Sequence, residues 1–210
     1  MCPVEVAILI DRSASMFDDW AAVNRSVHHL VRNHPSVFFS LLAFPGDGAL
    51  GESWTTFPAG AVTTVQEVNA WFSLYEPVGS TPLQPAFVEV AQHVDEIWKR
   101  STAPGTARYL VLLSDGEGNI CVDDPFGLAG DEPTGDCNVD GLVSATRELL
   151  LSHGVRTYTI GYQYEGNDAQ LVAVAANGGT SFLHYVFAGS EEALRDAFVG
   201  FLYDPKLCEP

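Results

Sequence analysis

Three oxygen-bearing side chains at every second position, Asp11, Ser13 and Ser15, close the apolar run Val6-Ala7-Ile8-Leu9-Ile10. A short continuous apolar run bounded by a polar turn predicts a strand buried on both faces. Oxygens at i, i+2 and i+4 past its end project from the C-terminal tip, where open α/β sheets place ligands. A second apolar run over residues 107–113 ends at Ser114-Asp115-Gly116. In a doubly wound sheet the early and late strands fan out in opposite directions from the first. If these two strands are neighbours at that switch point, Asp11, Ser13, Ser15 and Asp115 share one crevice. Thr81, in Gly79-Ser80-Thr81-Pro82-Leu83 ahead of a helical stretch, adds a fifth oxygen group. Such a donor set suits a hard divalent cation: Mg2+ first, with Mn2+ or Ca2+ as alternatives.

The same stretch lacks the parts of an enzyme. Phosphoryl transfer at a Mg2+ site normally wants a cationic side chain on the transferring oxygens. The two lysines, Lys99 and Lys206, lie far from the motifs in sequence, no Walker A pattern occurs, and Arg12 is the only cation nearby. There is no G-x-S-x-G elbow, and no base adjoins Ser13 or Ser15. A Mg2+-dependent phosphoesterase is therefore the weakest reading of the donor set.

The elements that must carry these residues alternate along the chain. Residues 2–10, 37–44, 107–113, 155–160 and 181–187 read as strands, with a short edge strand at 53–57. Helical periodicity covers 20–33, 64–74, 83–100, 141–153, 168–176 and 190–203. Asp18 or Asp19 is the expected cap of the first helix, and His34-Pro35 its stop. Alternation of this kind implies right-handed βαβ crossovers. The expected fold is α/β: a doubly wound, mostly parallel six-stranded sheet with one short antiparallel edge strand and helices on both faces.

A length of 210 residues is read as a single domain over 1–210, with 117–140 as a loop insertion rich in Gly, Pro and Asp. Apolar residues make up 47% of the chain and charged ones 18%, which excludes disorder. A net charge of −17 repels phosphate backbones and argues against nucleic acid as a partner. No apolar run approaches the roughly 20 residues that span a bilayer, so direct membrane insertion is not expected. Four cysteines allow three pairings; the economical one joins Cys121 to Cys137 across the loop and Cys2 to Cys208 at the chain ends. An even count in those places points to an oxidising compartment.

Asp11-x-Ser13-x-Ser15 after an apolar strand resembles the first motif of the von Willebrand factor A domain. Thr81 before its helix is similar to that family's isolated threonine, and Asp115 in Leu113-Ser114-Asp115-Gly116 to its distal aspartate. The resemblance runs from about Val4 to Tyr203. It implies a Rossmann-like fold with a metal-ion-dependent adhesion site. Ser13, Ser15 and Thr81 would be the hydroxyl ligands of Mg2+, with Asp11 and Asp115 acting directly or through water. Neutral hydroxyls leave much of the ion's charge unquenched, so an open position attracts an Asp or Glu carboxylate of a protein partner. The paired cysteines resemble bacterial secreted versions of the domain. The implied protein is a secreted or cell-surface adhesion module, part of a larger bacterial surface protein. The runner-up is an intracellular scaffold subunit of a MgATPase or chelatase-type assembly.

Other signals are weaker. Asp136, Asn138 and Asp140 match the first half of a calcium loop, but its twelfth position is Arg147 rather than Glu. They form a candidate second Ca2+ site, with a helix cap as the plainer reading. Glu117 lies close to Asp115 in sequence and is read as solvent-facing. His28, His29 and His34 crowd one region without zinc spacing or a fourth ligand, which favours a surface or helix-end role. Trp20, Trp71 and Trp98 read as core, and Trp54 as an exposed contact.

Overall fold

Uninterrupted burial marks the centre of the sheet. β1 (Val4–Asp11) is buried at all eight positions, as a strand covered on both faces must be. It pairs in parallel with β2 (Phe38–Phe44) and with β3 (Ala107–Ser114). β4 (Val155–Tyr162) and β5 (Val186–Ala188) complete the order β2-β1-β3-β4-β5, all parallel. The computed structural model describes residues 3–46, 55, 62, 64–98, 105–116, 139–164 and 169–205.

Alternation along each strand splits the core in two. Val6, Ile8 and Ile10 face α1 (Trp20–Asn33), α2 (Val65–Leu74) and α7 (Glu191–Leu202); Ala7 and Leu9 face α3 (Leu83–Gln92), α4 (Val94–Ile97), α5 (Val139–His153) and α6 (Ala169–Asn177). Ile8, Leu9 and Ile10 are fully buried, each contributing about 1.5–3 kcal/mol of burial. Trp98 and Trp71 are core, and Trp20 stacks with Trp71 and Phe72. Helix starts follow side-chain chemistry. Thr64 and Glu67 form a capping box on α2, and the Ser190 hydroxyl accepts from Ala193 N–H on α7.

Four expectations need correction. The sheet has five strands among the described residues, all parallel; a single isolated antiparallel bridge, Phe39 with Val62, lies outside the 53–57 expected for an edge strand. Residues 53–57, where that strand was expected, lie outside the described residues except Thr55. The helix expected over 83–100 breaks at His93, whose N–H donates to both Glu89 O and Val90 O at 3.2 Å and whose Nδ1 lies 2.9 Å from the same Glu89 oxygen. The last strand is shorter than 181–187 because the Thr180 hydroxyl bonds both Phe182 N–H and Phe182 O, folding that segment into a turn. Asp19 stands at the N-cap of α1 but makes no capping bond; it accepts from Gln163 Nε2 at 2.8 Å instead.

All four cysteines, Trp54, Glu117, Asp136 and Asn138 lie outside the described residues, as does the insertion up to residue 138. Asp140 is exposed in the first turn of α5, its carbonyl accepting the Ser144 hydroxyl at 2.7 Å.

Candidate metal centre

The register of β1 and β3 pairs Ile10 with Leu113, so Asp11 and Ser114 emerge side by side at the switch point. Ser114 Oγ donates to Asp11 Oδ2 at 2.6 Å, and Ser13 N–H donates to Asp11 Oδ1 at 2.8 Å. Beyond Ser13 the chain makes a 3-10 turn over Ala14–Phe17, anchored by buried Met16. That turn sets the Ser13 and Ser15 hydroxyls 3.0 Å apart, and Ser15 Oγ donates to Asp115 Oδ1 at 3.0 Å. Asp11, Ser13, Ser15 and Asp115 thus form one hydrogen-bonded cluster.

The loop that carries Thr81 is laced to the same turn. Val78 N–H donates to Arg12 O at 2.6 Å and Ala14 N–H to Gly79 O at 3.0 Å. Gly79 adopts a φ of +73°, a conformation that side-chain-bearing residues resist. Thr81 itself is buried.

Arg12 is occupied elsewhere. Its guanidinium donates to Pro45 O at 2.6 Å, Gly46 O at 2.9 Å and Glu76 O at 3.3 Å, and stacks over Tyr75. It ties the loops after β2 and α2 to the tip of β1.

The electrostatics are those of anions held together without a counter-charge. Burial, opposed by the Ser114 and Ser13 hydrogen bonds and aided by Asp115, pushes the Asp11 carboxyl up to about 7. Asp115 is raised by burial against the opposing Ser15 bond. Asp19 is raised by burial, then by Asp115 and Asp18, which brings a third carboxylate within reach of the cluster's field. No cation acts on any of the three among the described residues. A divalent cation fits what this donor set lacks. No group of three or more His, Cys, Asp or Glu that could hold a metal gathers among the described residues, as expected where three of the five donors are hydroxyls.

Sequence reasoning missed Ser114, Asp19 and Phe17. Ser114 was legible as part of a strand end, but its bond to Asp11 depends on register. Phe17 is 71% exposed beside the Ser13–Ser15 turn, and Val78 is 52% exposed beside Gly79. Both are exposed apolar side chains on the turns that carry site residues; Trp54, expected as an exposed contact, lies outside the described residues.

No protein-family model matches the chain, and no curated protein matches it in sequence. Solved structures match its fold. The pilus adhesin SpaC from Lactobacillus rhamnosus GG aligns with 96% of this chain and 30% of its own, at 16% identity and a TM-score of 0.61. The vWF domain of the type V pili tip protein Mfa5 from Porphyromonas gingivalis aligns over 95% and 93%, at 13% identity and a TM-score of 0.60. Proximal thread matrix protein 1 from the mussel byssus, with a zinc-occupied MIDAS motif, aligns over 96% and 45%, at 17% identity and a TM-score of 0.60. This chain therefore spans less than half the length of SpaC and of the byssus protein.

Proposed function

The chain has the von Willebrand factor A fold, and on that premise we propose that it is a metal-dependent, non-enzymatic protein-binding module. The observation that carries the reading is the uncompensated cluster: Asp11 and Asp115 bridged through Ser13, Ser15 and Ser114 at the β1/β3 tip, with no cation acting on them among the described residues. Ser13, Ser15 and Thr81 would hold Mg2+ through their hydroxyls, with Asp11 and Asp115 beside or behind. When bound, the ion supplies a partly unquenched positive centre for an Asp or Glu carboxylate of a partner. Arg12 braces the loops and does not serve a transferring group, which counts against phosphoester chemistry. Phe17 and Val78 offer apolar contact around a carboxylate seated at the tip.

Residues 1–210 form one domain in this reading, with 117–140 as an insertion. The fold's occurrence in two pilus proteins supports a place outside the cytoplasm, within a larger bacterial surface protein. No helix among the described residues is long and apolar enough to cross a membrane. Asp140, with Asp136 and Asn138, remains the candidate for a second Ca2+ site.

Calorimetric titration of metal-stripped protein with Mg2+ and Mn2+ tests the site. The expected result is one saturable site, weakened at least tenfold by Ser13→Ala and by Thr81→Ala while the circular dichroism spectrum is unchanged. Parent-like affinity in both variants would remove these residues from the site. The adhesion reading adds that proteins captured in Mg2+ elute with EDTA and are not captured by Thr81→Ala; capture indifferent to both would contradict it.

A further inference from the structure

A hollow of about 250 Å³ between α1, α7 and the start of α2 is lined by Arg25, His28, His29, Arg32, Val65 and Arg195. Four of these stand at i, i+3, i+4 and i+7 of α1, one stripe of that helix. The whole chain has 10 Lys and Arg against 27 Asp and Glu. Three arginines and two histidines around one opening run against the charge of the rest of the molecule.

Packing accounts for only part of this charge. Glu191 on α7 accepts from Arg25 Nε at 3.0 Å and Nη2 at 2.6 Å, and pairs through its other oxygen with Arg195. One carboxylate is thus shared by two guanidinium groups, which fixes both against the hollow. Arg32 is exposed, and no partner for it occurs among the described residues. Arg195 Nε and His28 Nε2 are buried and have no hydrogen-bond partner among the described residues.

We propose that this hollow binds a tetrahedral oxyanion, a sulfate or phosphate group carried on a small ligand. Three guanidinium groups against one carboxylate leave two positive charges, matching a doubly charged ester or free anion. Guanidinium forks approaching from two helices suit several acceptor oxygens around one centre. The hollow is larger than a bare sulfate fills, which leaves room for the carrier. A long polyanion is disfavoured, because its remaining charges would lie along a molecule of net charge −17. The site is separate from the metal centre: none of Asp11, Ser13, Ser15, Thr81 or Asp115 lines it.

The test titrates sodium sulfate, sodium phosphate and glucosamine 6-sulfate into the full chain with EDTA present and ionic strength held constant, following arginine Nε–H resonances by NMR. Saturable shifts of the Arg195 resonance are expected with at least one probe. Tighter binding of the sugar ester than of sulfate would assign a glycan as source, and preference for phosphate a phosphoryl ligand. Arg32→Gln and Arg195→Gln should each weaken binding at least fivefold. Arg147→Gln, which removes the same charge from α5 outside the hollow, should leave it unchanged. Because Arg195 also pairs with Glu191, Arg32→Gln is the deciding variant: it breaks no described contact. Shifts that fail to saturate with all three probes, or equal weakening by Arg147→Gln, would overturn the proposal.

Discussion

At the scale of single residues, Asp11 carries the largest conflict. Its carboxyl is fully buried and raised to about 7, whereas in the unfolded chain it titrates near 4. The metal-free folded state therefore holds a proton that the unfolded state gives up. Stability from this group is intact below about pH 4 and declines as pH rises to about 7. At 1.36 kcal/mol per pH unit the loss is on the order of 4 kcal/mol; Asp115, also raised, acts in the same direction. Urea midpoints measured in EDTA between pH 4 and 8 should fall across that window, and Asp11→Asn should flatten the profile. An equally steep profile in the variant would place the titration elsewhere. Ser114 tempers the conflict by donating to Asp11. Ser114→Ala should raise the Asp11 carboxyl further and weaken Mg2+ about tenfold, as loss of an outer-shell partner typically does, read by calorimetry beside the parent. Asp11, Ser13, Ser15 and Asp115 were legible in the sequence because strand ends punctuate apolar runs. Ser114's bond was not, because it needs the register of two strands 100 residues apart.

At the scale of elements, periodicity found each helix and missed where one breaks. Val94, Ile97 and Trp98 continue the apolar spacing of Phe87, Val90 and Ala91, and all are buried; the interruption at His93, whose ring also lies against the Glu89 carbonyl, leaves no mark on the hydrophobic pattern. The turn at Thr180 that shortens β5 is likewise a local competition for backbone groups. Glycines separate packing from propensity. A Cβ on Gly178 would stand 2.1 Å from Thr157 O, a backbone atom of β4 that can give way only if the strand shifts. Gly178→Ala should therefore cost about 1–3 kcal/mol, as overpacking does. Gly200 in α7 meets nothing within 4 Å, because it borders a hollow of about 380 Å³ between α7, β4 and β5. Gly200→Ala should stabilise by about 0.5–1 kcal/mol through helix propensity. Thermal melts of both variants check the contrast, and a shift of the same sign in the two would refute it.

At the scale of the whole molecule, the last helix runs back along the sheet. α7 begins just after the tip of β5 and, as helices between parallel strands must, runs back toward the edge where β1 starts. Its far end is held there: Asp204 accepts from the Tyr158 hydroxyl and, at 3.0 Å, from Ser181 N–H. Pro3 O accepts from Ala107 N–H at that same edge. The positions of the cysteines in the sequence suggest a Cys2–Cys208 link, and both cysteines lie outside the described residues. A bridge there closes nearly the whole chain and constrains the unfolded state, worth about 2–5 kcal/mol. Cys2→Ser with Cys208→Ser should lower the unfolding free energy measured in urea by that amount under non-reducing conditions and leave the reduced protein unchanged. The loop bridge, Cys121 to Cys137, makes a different claim: its removal should loosen the loop locally and speed proteolysis between residues 121 and 137. Intact mass should rise by two hydrogens per bridge on reduction. Four free thiols in the protein as isolated from its native compartment would instead favour the intracellular scaffold reading, because that is the compartment in which thiols stay reduced.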